Sequence, residues 1–64
     1  MIVILKVERG ENGVLWGTVN YRNNLIVDSA PSLAELEVHL KTLLKDFHGV
    51  DPETVEFSVE TFNS

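Results

Sequence analysis

Apolar residues recur with a period of two at Val3, Leu5 and Val7, inside an opening run, Ile2–Glu8, that is rich in β-branched residues. A strand with Val3, Leu5 and Val7 on one face carries Ile2, Ile4, Lys6 and Glu8 on the other. The first face is expected to meet a helix, which leaves Ile2 and Ile4 on a face that needs cover of its own. Gly10-Glu-Asn-Gly13 reads as a hairpin turn, because Asn-Gly readily supplies positive φ. A second strand then runs over 14–21. Leu15, Gly17, Val19 and Tyr21 share one parity, and Val14, Trp16, Thr18 and Asn20 share the other. Gly17 in mid-strand marks a bulge or a close backbone approach. Residues 21–24 make a second turn, and Leu25–Asp28 forms a short third strand.

After Pro31 the period changes. Leu33, Leu36, Leu40, Leu43, Leu44 and Phe47 recur at helical spacing and predict one apolar stripe. Ser32-Leu-Ala-Glu35 is a capping box, with Ser32 at the N-cap and Glu35 reaching back. Glu37 precedes Lys41 by four residues, the favourable order for an ion pair. Val38 projects from the polar side. Gly49 terminates the helix and Pro52 bars its continuation. Val55, Phe57 and Val59 then alternate with Glu56, Ser58 and Glu60, a half-buried strand. Three antiparallel strands, a helix and a fourth strand predict an α+β fold of order β-β-β-α-β. The helix must cross over, right-handedly in nearly all such units. The simplest arrangement is a four-stranded mixed sheet of order 3-2-1-4 with one helix packed on one face.

Sixty-four residues make a single domain, 1–64, near the lower limit for a core that is stable unaided. There is no cysteine, so disulfides and thiolate metal sites are excluded, and self-association or a larger parent chain is the expected source of extra stability. The formal charge of −5 repels a phosphate backbone, which argues against direct nucleic-acid binding and in favour of a basic protein partner. Met1–Leu5 is too short, and too soon followed by charge, for a signal peptide or membrane span, so a cytoplasmic location without membrane association is the expectation.

Catalytic chemistry finds little support. His39 and His48 are nine apart, wider than the spacings zinc favours on a helix, and read as a partly exposed histidine and a residue suited to the helix C-terminus. A two-metal nuclease needs carboxylates converging from strands and helix. On the first strand only Glu8 is available, at its end, while Glu56 and Glu60 face away from the helix. No serine has a triad partner at recognisable spacing, and no Gly-rich loop opens a helix for phosphate. No enzyme activity, cofactor or metal is expected. Trp16 and Tyr21 lie on opposite parities, so at most one fills the helix-side core. Trp16 beside Ile2 and Ile4 on the uncovered face would make an apolar patch of the kind found at interfaces; core packing in another register is the alternative.

The chain resembles the HicB family, the antitoxins of HicA–HicB toxin–antitoxin pairs. Val7-Glu8, Glu11-Asn12-Gly13 and Leu15-Trp16-Gly17 are similar to the family's opening strand, which ends in acidic residues before an Asp-Gly-Tyr-Trp-like segment. Asp28-Ser29 followed by Ser32-Leu33-Ala34-Glu35-Leu36 resembles its third strand and its Thr- or Ser-capped helix. The likeness spans essentially the whole chain. Asn20–Asn24 departs from the family's Pro-Asp-Leu-Pro-Gly-like turn. The helix-turn-helix or ribbon-helix-helix segment that usually follows is missing, so the chain resembles the N-terminal part of a longer antitoxin or an orphan relative, unable to repress an operator alone. The resemblance implies a degenerate ribonuclease-H-like domain without nuclease activity. It would bind a small basic RNase toxin of the HicA kind, block access to the toxin's catalytic histidine, and form homo-oligomers. From parity the candidate contact residues are Ile2, Ile4, Glu8, Trp16, Glu56 and Glu60. The alternative reading is a small structural or dimerisation domain of another regulator.

Overall fold

In a computed structural model, which describes residues 1–62, the chain runs β1 (Ile2–Arg9), β2 (Leu15–Tyr21), β3 (Asn24–Ala30), α1 (Leu33–His48) and β4 (Glu56–Phe62). The strands form one sheet of order β3-β2-β1-β4. The neighbours β1·β2 and β2·β3 are antiparallel, and β4 lies parallel to β1. This is the α+β architecture expected from the sequence, a mixed four-stranded sheet with one helix.

The turns explain the antiparallel half. Asn12 and Gly13 take left-handed φ of 60° and 76°, and the Gly10 N–H donates to the Val14 carbonyl at 2.7 Å to close the first hairpin. Arg22 and Asn23, with φ of 49° and 65°, form a two-residue turn whose twist suits the flanking strands. β3 is longer than Leu25–Asp28, because its pairing with β2 runs from Tyr21↔Asn24 to Leu15↔Ala30. Ser29 and Ala30 look like loop by composition. Pro31, however, disfavours helical backbone at Ala30, and β2 still offers backbone partners there, so extended pairing prevails.

The core lies between the sheet and α1. Val3, Leu5 and Val7 of β1 with Val19 of β2 and Ala30 of β3 meet Leu36, Leu40 and Leu44, while Val50 and Val55 complete the cluster. No polar side chain among the described residues is buried. Gly17 marks a close approach, not a bulge: its pairs with Val7 and Asp28 sit in unbroken register, and a Cβ there would lie 2.8 Å from Leu36 Cδ2.

At the start of α1, Ser32 Oγ accepts the Glu35 N–H at 3.3 Å. At its end Gly49 takes a φ of 66°, its N–H donating to the Lys45 carbonyl, and the Val50 N–H reaches Leu44 O. Replacing Ser32 with alanine orphans one helix N–H. It is expected to lower stability by about 1 kcal/mol, read as a fall of roughly 4–8 °C in Tm by far-UV circular dichroism. An unchanged Tm would show that the cap contributes nothing.

Three sequence expectations for the helix need correction. Among the described residues the Glu35 carboxylate makes no return hydrogen bond to Ser32, so only half of the capping box forms. Lys41 does not pair with Glu37; its Nζ sits 5.9 Å from the centre of the Phe57 ring, an apolar partner that the last strand brings beneath it. Phe47 is not part of the buried stripe, being 74% exposed, and Leu33 is also exposed. Angularly both belong on the inner arc. α1, however, lies chiefly over β3 and β2, and at its last turn the sheet has run out, so Phe47 overhangs the outer edge of β3 beside Leu43 and Ile26. The same offset leaves Val59, on the helix side of β4, partly exposed. No helix among the described residues is long and apolar enough to cross a membrane.

Candidate interaction face

The sheet face opposite α1 carries no covering element among the described residues, and the register places its side chains in rows. Ile2 of β1 neighbours Glu56 of β4. Next Leu25 pairs with Asn20 and Ile4 with Ser58, with Ile4, Asn20 and Leu25 lining one depression, followed by a row of Val27, Thr18, Lys6 and Glu60. In the row beyond, Ser29, Trp16 and Glu8 lie side by side. All six sequence-predicted contact residues, Ile2, Ile4, Glu8, Trp16, Glu56 and Glu60, therefore occupy one exposed face.

They do not form one patch. Ile2 is 73% and Ile4 52% exposed at one end, and Trp16, 47% exposed, belongs to the other. The polar row of Thr18 and Lys6 lies between them, which corrects the expectation of Trp16 beside Ile2 and Ile4. The indole packs over the first hairpin instead: a Cβ added at Gly10 would lie 2.6 Å from Trp16 Cδ1. A residue with no side chain thus makes the seat for the tryptophan. Tyr21 takes the helix side as its parity requires, half-buried, with its ring edge-on to His48 at 5.1 Å and the Arg22 guanidinium 5.5 Å above it.

Sequence reasoning missed Leu25 and Val27, which are 68% and 49% exposed on this same face. The signal that finds them is turn length. A two-residue loop at Arg22-Asn23 pairs Tyr21 with Asn24, and counting back from there sets Asn20 against Leu25 and Thr18 against Val27. Ile2, Ile4 and Leu25 line a depression of ≈ 520 Å³ together with Lys6, Asn20 and Arg22. Its lining combines apolar side chains with cationic and amide groups, a mixture that can seat a side chain or segment of another polypeptide. Glu56 and Glu60 flank it from β4, but Lys6 sits between Ile4 and Glu8 on β1, so the face is not uniformly acidic.

Among the described residues the other titratable groups make separate, local contacts. His39 Nδ1 lies 3.6 Å from Asp28 Oδ2, both partly exposed, and Asp28 Oδ1 accepts the Ser29 N–H at 2.7 Å. His48 is engaged with Tyr21, so the two histidines serve separate contacts. Among the described residues no group of three or more His, Cys, Asp or Glu side chains is arranged to hold a metal ion. Compared with known proteins, the chain matches no family model, no curated protein and no solved structure.

Proposed function

We propose that this chain is a non-catalytic protein-interaction domain, and specifically the toxin-neutralising domain of a HicB-like antitoxin. The observation that carries the reading is the uncovered sheet face, where five large apolar side chains stand half or more exposed, or nearly so, on a domain of this size. The β-β-β-α-β order with β4 parallel to β1 supports it as the architecture the family resemblance implies. A net charge of −5 supports a basic partner through long-range attraction, which raises the association rate more than it holds the complex. In this reading the partner is a small basic RNase, and the domain neutralises it by occupying the surface around its catalytic histidine.

The test is to mix the chain with a cognate small basic RNase, sought as a short basic reading frame next to its gene, and to measure complex formation together with RNase activity. A stable complex with lost activity is expected. Trp16→Ala should weaken it by about 30-fold or more, as a half-exposed aromatic anchor does. A chain in excess that leaves the RNase fully active overturns the proposal. A second reading, a dimerisation domain of another regulator, is favoured by the unpaired apolar edge of β3. It predicts no short basic open reading frame next to the gene.

A further inference from the structure

We infer that two copies of this chain join edge to edge through β3, pairing the strands antiparallel about Ile26 into one continuous eight-stranded sheet. The inference stands apart from the toxin reading. It begins with the peptide groups of β3. The two-residue turn makes Tyr21↔Asn24 a closing pair, and bonded pairs then alternate with Val19↔Ile26 and Gly17↔Asp28. The N–H and C=O groups of Leu25 and Val27 therefore point away from β2, along an edge that no other strand among the described residues covers.

Edges left open are normally blunted by lysine, proline, a bulge or repeated charge. β3 has none of these; Asp28 is its only charge, and that carboxylate is already engaged by the Ser29 N–H and His39. Beside the edge, Ile26, Leu43 and the overhanging Phe47 line an apolar groove. Phe47 has no sheet of its own to cover.

The other edge is built differently. On the open face β4 carries the repeated charges Glu56 and Glu60 where β3 carries Leu25 and Val27, and a second β4 laid antiparallel about Ser58 would set Glu56 against Glu60 twice. A second β3 laid antiparallel about Ile26 sets Leu25 against Val27, Ile26 against its own counterpart, and Asp28 against the amide of Asn24. Centring one residue later would place Asp28 on Ile26, so side-chain chemistry selects the register. In the chosen register the outward peptide groups of Leu25 and Val27 face those of the second copy and exchange hydrogen bonds. Each Phe47 then lies over the neighbouring copy's strand, and both helices stand on the same side. The open faces merge into one surface with Leu25 and Val27 at its centre.

The measurement is the mass of the native chain in solution as a function of concentration, by sedimentation or light scattering, with hydrogen exchange of the Leu25 and Val27 amides. A dimer is expected, with both amides protected in proportion to its population. Val27→Pro removes only an outward-pointing N–H, and Phe47→Glu changes a side chain exposed in the single copy. Each should give a folded monomer by circular dichroism, whereas Ile2→Lys, on the open face away from the edge, should remain dimeric. A wild-type chain that stays monomeric overturns the inference, as does a dimer that survives both Val27→Pro and Phe47→Glu or one that Ile2→Lys dissolves. RNase neutralisation by a chain that does not dimerise, or dimerisation without neutralisation, separates this inference from the function proposed above.

Discussion

Leu40→Ala is expected to cost about 2–5 kcal/mol, the range for truncating a fully buried leucine. Leu40 is 0% exposed and sits at the middle of the Leu36–Leu40–Leu44 line that α1 presses onto the sheet. The loss has two parts: the transfer free energy of the deleted methyl groups and the cavity left where β1 and β2 do not collapse to fill it. A domain of 64 residues has a total stability of roughly 3–10 kcal/mol, so this one change removes a large share of it. Thermal or urea unfolding followed by circular dichroism should show a drop in Tm on the order of 10–20 °C, or no cooperative transition at all. Phe47→Ala is the control. Phe47 belongs to the same helical arc but is 74% exposed. At chain concentrations low enough to dissociate any second copy, its truncation should shift stability by no more than about 0.5 kcal/mol. Equal losses from the two substitutions would mean that the helix does not lie across the sheet as described.

Gly17→Ala is expected to destabilise the fold by about 1–3 kcal/mol, although it adds a residue better suited to a strand. Two effects compete. Alanine restricts the unfolded chain, a gain of about 0.4–1 kcal/mol where the native backbone accepts it. Against that, the new Cβ would meet Leu36 Cδ2 at 2.8 Å, Leu5 Cδ1 at 3.0 Å and Leu36 Cδ1 at 3.1 Å. Leucine termini can swing aside on a surface. These two side chains are fully buried, so relief requires moving α1 or β1 as a whole. Overpacking therefore wins. A Gly17→Ala chain as stable as the parent in urea would show that the helix–sheet spacing is looser than these contacts state.

Much of the fold was legible because its elements carry local signals. Strand alternation in β1, the Ser32 cap, the Gly49 terminator and the Asn-Gly turn each act over a few residues, and each appears where local chemistry calls for it. The end of β3 was not legible, because Ser29 and Ala30 are extended through pairing with Trp16 and Leu15, partners more than ten residues away. Lys41 was misread for a related reason. The helix offers it Glu37, but the ring of Phe57 arrives from another strand. The candidate face was legible in membership and not in layout. Parity alone puts Ile2, Ile4, Glu8, Trp16, Glu56 and Glu60 on one side; it does not show that Thr18 and Lys6 divide them, nor that Leu25 and Val27 join them.

By itself, then, the sequence determined the order of the strands and helix, the facing of β1 and β4 and the topology of the sheet. Those follow from period, capping and turn chemistry, which act along the chain. Where α1 rests over the sheet, and so which of its apolar residues are buried, was decided only by tertiary packing. Gly17 lets Leu36 descend at one place, and the sheet ends before Phe47. Helical period fixes the angle of a side chain about its axis, whereas burial also depends on how far the opposing layer extends beneath it.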